Sequence, residues 1–180
     1  MAEQGPASAP PSGAPADDAA SSRQVLLQKI YVKDASIEVP GAPQVFATNV
    51  QPQIDVNVGT VMKALENDLF HIVLNITVTA KAGEDTVFLV EVHQGGVFLV
   101  RNFPNAAEKA AILGGYCPSL LFPFAREAVA DFVQKAGFPQ LLLQPINFEA
   151  MYMDALARQR AERQATAAPG GAPTEVAKAH

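Results

Sequence analysis

The side chains able to do chemistry are few and scattered. His71, His93 and His180 have no cysteine or carboxylate at metal-ligand spacing, so no metal site is expected. Glu91 and His93 share one face of a period-two segment, where an exposed ion pair is the ordinary outcome and acid–base catalysis the rarer one. Gln94-Gly95-Gly96 lacks the G-x-x-x-x-G-K pattern of a phosphate loop. Glu127 and Asp131 stand four apart in a helical pattern, and like charges at that spacing mark a solvated face. Cys117 lies beside a predicted helix N-terminus, which can lower a thiol pKa. No histidine is near it in sequence, and a buried structural thiol is the expectation. This set predicts no catalytic residue, no cofactor and no enzyme.

The chain has 180 residues, and its ends differ from its middle. Residues 1–22 are mostly Ala, Pro, Ser, Gly and Asp, and residues 161–180 are similar. Neither tail carries enough apolar surface to offset its conformational entropy, so both are expected to be disordered. Residues 24–160 form one domain of ordinary size. From Gln24 to Leu156 there are 8 Lys+Arg against 13 Asp+Glu, so the formal charge of −5 belongs to the domain. An acidic domain without a basic stripe argues against nucleic acid. The sequence has no apolar run of ~18 residues for a membrane span, and no basic-then-apolar leader. One cysteine allows no internal disulfide. A soluble protein of a reducing compartment is expected.

Gln24–Glu38 reads as a first strand, ended by Pro40-Gly41-Ala42-Pro43. The stretch from Phe46 to Val50 has no assignable pattern. Ile54, Val56 and Val58 alternate with Asp55 and Asn57 as a short half-buried strand. Asp68–Ala80 has the clearest alternation, with Phe70, Ile72, Leu74, Ile76 and Val78 on one side. The turn Lys81-Ala82-Gly83-Glu84 leads into Thr86–Val92 as a hairpin. Phe88, Val90, Val92 and Gln94 share the face expected to seat two helices; Val87, Leu89, Glu91 and His93 share the other. Gly95-Gly96 is expected to break the strand, which resumes over Val97–Val100.

A short Ala-rich helix, Asn105–Leu113, should close at Gly114-Gly115. A longer one starts near Pro118, continues past Pro123, and carries Ala125, Ala128, Val129, Phe132, Val133 and Ala136 as one apolar stripe. Lys135 and Gly137 mark its end. A last helix opens at Asn147 as N-cap, with Phe148, Met151, Tyr152, Ala155 and Leu156 as its stripe. The loop between them, FPQLLLQP, is apolar where loops are normally polar. It fills a core or presents an apolar surface to other chains. Strands first and helices last predict an α+β fold: a four-stranded antiparallel sheet with helices packed on one face and a C-terminal helical hairpin. Consecutive strands with short turns favour a meander.

These runs resemble the SecB family of protein-export chaperones. The matching stretches are IYVKDASIEVPGAPQVF (30–46), QPQIDVNV (51–58), TVTAKAGEDTVFLVEVHQGGVF (77–98), GGYCPSLLFPFARE (114–127) and FPQLLLQPINFEAMYM (138–153). Val50 stands where members often carry tryptophan, and Gly59 where aspartate is common. The resemblance implies a cytoplasmic homotetramer, a dimer of dimers. It would bind unfolded preproteins without ATP, keep them translocation-competent and deliver them to SecA, the translocation ATPase, with no direct membrane insertion. It implies SecA docking at Asp34, Glu38, Leu89 and Glu91, and support of the tetramer contact by Phe88, Val90, Val92 and Gln94. The expected client groove is Ile54, Val56, Val58, Phe138, Leu141 and Leu143. Two other classes stand beside this reading: a small-ligand-binding or hydrolytic α+β domain, and a non-chaperone oligomeric scaffold whose apolar loop is only an interface.

Overall fold

The computed structural model describes residues 22–48 and 51–167. The expectations for most of both tails, and for Val50, lie outside the described residues. Four strands, β1 (Gln24–Glu38), β2 (Gln53–Ala64), β3 (Leu69–Ala82) and β4 (Asp85–Arg101), form one antiparallel sheet in the order β1-β4-β3-β2. Strands β2, β3 and β4 are a meander. The first strand departs from that expectation: it pairs with β4, not β2, so residues 39–52 must cross the sheet. The crossover holds a 3₁₀ turn at Gln44–Ala47. It passes on the helix side, where Phe46 meets Phe138 at 5.3 Å between ring centroids.

The alternation in β3 works as the sequence predicts. Ile72, Leu74, Ile76 and Val78 are all 0% exposed, one face of a pleated strand against a core. The turn to β4 places Gly83 at φ +63°, a left-handed conformation that glycine adopts without strain. Strand β4 does not break at its two glycines. Gly95 pairs with Tyr31 and Val73, and Gly96 with Ile30 and Ile72. Their lack of a side chain makes room instead: a Cβ on Gly95 would lie 2.7 Å from the Tyr31 ring, and one on Gly96 2.7 Å from Leu121.

Asn105 caps α1 (Ala106–Ala111), its side chain accepting from the backbone N–H of Ala107 at 2.8 Å. Gly114-Gly115 do not close this helix. The chain continues through a π turn at Ile112–Tyr116 directly into α2 (Cys117–Lys135). Pro123 is tolerated inside α2 because it and Ser119, whose carbonyl loses its donor, are both exposed to water. The stripe of α2 lies on the sheet, with Leu121, Ala125 and Val129 0% exposed in one cluster with the inner face of β3 and β4. The helix stops with Gly137 at φ +90°, as the sequence predicts.

Asn147 caps α3 (Phe148–Ala167), accepting from the Ala150 N–H at 3.0 Å. This helix runs past residue 160, so the expected tail boundary falls within it. It does not share the sheet with α2. Its first turns pack on the π turn, with Phe148 buried against Phe122 at 5.6 Å between centroids. Of the stripe read from periodicity, Phe148 is buried and Tyr152 and Leu156 are half-buried, whereas Met151 is 40% exposed and Ala155 is exposed, so it is covered only in part.

Candidate functional site

Strand β2 is an edge strand, and α2 does not reach over it. Ile54, Val56 and Val58 pair with Ala80, Val78 and Ile76 of β3. They therefore point to the helix side of the sheet, yet Ile54 and Val56 are 40% and 39% exposed. The loop after α2 closes this uncovered strip into two successive depressions. The first, about 530 Å³, is lined by Ile54, Phe46, Phe88, Phe138 and Leu141. Its floor is aromatic, with Phe138 5.0 Å from Phe88 and 5.3 Å from Phe46. The second, about 430 Å³, is lined by Val56, Val58, Leu143, Ile146 and Met151.

All six residues expected to form an apolar groove thus meet along one strip. They are not equivalent. Leu143 is 5% exposed and belongs to the core, whereas Leu141 is half-buried and Leu142 points out at 54%. The sequence reading missed Phe46, Ile146 and Met151. Phe46 sits in a 3₁₀ turn too short to show a period, and Met151 was assigned to a helix stripe. Extended chain laid here would meet apolar side chains and also the outer backbone edge of β2, which pairs with no other strand among the described residues; these are the two components of strand addition.

The opposite face of the sheet carries the second candidate. Glu38 pairs with Leu89, Ser36 with Glu91 and Asp34 with His93. Asp34, Glu38, Leu89 and Glu91 therefore share one outward face, and β2 adds Asp55 opposite Thr79. Glu91 accepts from the Thr77 hydroxyl at 3.4 Å, and the His93 Nδ1 lies 4.0 Å from the Asp34 carboxylate. The expected Glu91–His93 pair is replaced by this cross-strand one, because directly opposed side chains are closer than neighbours two apart on one strand. Four carboxylates on a flat sheet surface suit a basic partner.

The third group is buried. Phe88, Val90, Val92 and Gln94 are 3%, 0%, 0% and 2% exposed beneath α2. The Gln94 amide donates to the Tyr31 carbonyl at 2.8 Å, beside the register shift at Val32/Asp34. These residues touch no outer surface and can act on another subunit only through the helix above them. Asp131 pairs with Lys135 at 2.6 Å on the solvated side of α2. No group of three or more His, Cys, Asp or Glu able to hold a metal occurs among the described residues.

A family model described as preprotein translocase subunit SecB matches residues 18–159. The chain belongs to the SecB family. It is 47% identical to the protein-export protein SecB of Methylococcus capsulatus over 79% of this chain and 90% of that one. It is 51% identical to that of Chromobacterium violaceum over 74% and 88%. The fold is also that of a SecB-like chaperone of Mycobacterium tuberculosis, solved in complex with a ChAD peptide from an antitoxin. The TM-score is 0.57 at 18% identity, over 73% of this chain and 95% of that one. SecB proteins are protein-export chaperones and not enzymes. No helix among the described residues is long and apolar enough to cross a membrane.

Proposed function

We propose that this SecB protein works in the cytoplasm as an ATP-independent holdase for unfolded secretory precursors. It assembles as a homotetramer, a dimer of dimers, and passes its clients to SecA. The uncovered apolar strip along β2, closed by the loop after α2 into two depressions, supports this reading most. A SecB-like chaperone of the same fold has been solved holding a peptide, which fits a strip shaped for extended chain. Binding of an unfolded chain shifts its folding equilibrium away from the native state. One strip alone binds weakly, because each client segment must be ordered; several strips on one tetramer raise avidity by ~10²–10⁴. Clients are then selected by slow folding, which keeps apolar segments exposed.

The test is suppression of aggregation of an unfolded polypeptide without ATP. We expect Ile54→Ser/Leu141→Ser to weaken client binding by about tenfold or more with the fold intact. Leu143→Ser is the wrong probe, since it strikes the core and costs ~2–5 kcal/mol of stability. Full activity in the double variant would move the groove elsewhere.

For the handover, the acidic face of Asp34, Glu38 and Glu91 around Leu89 is assigned to SecA. Opposed charge chiefly sets association rate and specificity, and salt screens it. Glu91→Lys should lose SecA binding while client binding remains, and the wild-type interaction should weaken between low and high salt. A calorimetric titration of both proteins at two salt concentrations measures this; unchanged affinity in Glu91→Lys removes the face from the mechanism.

A further inference from the structure

Strand β1 brings its carboxylates to the outer face only by breaking its own alternation. Ile30 packs against the core, and so do Ala35 and Ile37, although the first is an even position and the others are odd. A regular strand sends alternate residues to opposite faces, so one extra residue must lie between them. Tyr31 pairs with Gly95, Val32 with Gln94 and Asp34 with His93, which makes Lys33 that residue. The bulge turns Asp34, Ser36 and Glu38 outward. Strict alternation from Tyr31 would turn all three to the core and put Lys33 on the outer face.

The apolar pattern demands one extra residue but does not choose it. With Asp34 as the extra residue, Ile30, Ala35 and Ile37 would stay where they are and Lys33 would stand opposite His93. A cation would then replace a carboxylate of the docking face. Two contacts hold the chain just before the bulge. On the helix side the Gln94 amide, 2% exposed, donates to the Tyr31 carbonyl at 2.8 Å. On the outer side the Tyr31 ring lies across Gly95, where a Cβ would stand 2.7 Å from it. It reaches β3, and its hydroxyl shares a 2.7 Å hydrogen bond with His71 Nε2, the two rings 3° from parallel. Just after the bulge, His93 Nδ1 lies 4.0 Å from the Asp34 carboxylate.

We propose that Tyr31, held by Gln94, Gly95 and His71, is a latch that fixes the bulge at Lys33 and so positions Asp34 for the basic partner. These four are positioning residues: they act on docking through the register of β1. The inference rests on the assignment of the acidic face to SecA and adds what sets the charge pattern of that face. It also gives Gln94-Gly95 a task, since one supplies the donor on the inner side and the other the space on the outer side.

The test compares the full chain, Tyr31→Ala/Gln94→Leu, and the same double variant with Lys33 deleted. The deletion makes the alternation regular, with Val32 in and Asp34 out, so Asp34 reaches the outer face without a latch. Cross-strand NMR contacts of His93 read the register with no partner present. They should run to Asp34 in wild type and in the deletion, and to Lys33 in the double variant. SecA affinity, measured by calorimetry, should fall about fivefold or more in the double variant, as expected for exchanging one exposed carboxylate for a cation, and recover in the deletion. A merely structural role predicts no recovery. Tyr31→Ala alone repeats the comparison with the buried Gln94 in place. Contacts of His93 that stay with Asp34 in both latch variants would overturn the latch. Contacts that move to Lys33 with SecA affinity unchanged would overturn its role in docking. Because the register is read without SecA, failure of the latch and failure of the docking face are told apart.

Discussion

Cys117 shows how burial decides the chemistry of a residue whose sequence context leaves it open. A helix start beside it could have lowered its pKa, yet the sequence predicts a buried structural thiol, and the π turn makes Tyr116 and Cys117 continuous with helix, so no free N-terminus faces the sulfur. The residue is 0% exposed, and burial pushes its thiol from 9.0 up to about 12. The unfolded thiol ionises first, so the folded state holds the extra proton between those values. Stability from this group is therefore fully present below pH 9 and falls as pH rises toward 12, with a slope approaching about 1.4 kcal/mol per pH unit. Urea unfolding at pH 8 and pH 10 should show a larger loss for wild type than for Cys117→Ala; equal losses would mean the thiol is not desolvated.

At the scale of elements, the π turn is the joint between the sheet-bound helix and the one that projects from it. It continues α1 into α2 without a break, and its glycines let α3 approach. A Cβ on Gly114 would lie 2.3 Å from the Tyr152 ring, and one on Gly115 3.1 Å from the Glu149 Cγ. Gly114→Ala should therefore push α3 off the joint and leave α2 on the sheet. Faster amide exchange over Phe148–Leu156, with unchanged exchange in β3, is the expected result. Uniform acceleration would show that α3 and the core unfold together. Since Met151 lines the second depression, this variant should also widen the groove at that end.

At the scale of the whole molecule, one helix, α2, covers the buried layer of β4. Val92 is 0% exposed below α2, so Val92→Phe has no free volume to enter. Overpacking of this kind costs ~1–3 kcal/mol and is relieved most easily by lifting α2. If α2 forms the contact between the dimers of the proposed tetramer, the variant should shift tetramer toward dimer. Sedimentation at micromolar concentration reads this directly. A stable tetramer with reduced unfolding free energy would confine the effect to the subunit.

The sequence by itself determined β1, β3, the start of α3, the end of α2 and the family. Period-two alternation in β3, Asn147 before an amphipathic run and Gly137 after one are local signals, because each reflects the backbone geometry of a few adjacent residues. Alternation also puts Leu89 and Glu91 on one side before any partner strand is known, but only the pairing of β1 with β4 sets Asp34 and Glu38 on that face. What only the tertiary structure decided was non-local. The place of β1 beside β4 depends on where the crossover lies, and sequence proximity had suggested a meander. The two glycine pairs looked like breaks because their lack of a side chain weakens an isolated strand or helix. In the fold that lack admits Tyr31, Leu121 and Tyr152. The leucines of the loop could be sorted only by packing: Leu143 is core, Leu141 is half-buried and Leu142 faces out. Three adjacent residues of one type carry no pattern that distinguishes them, and burial depends on neighbours far away in the chain.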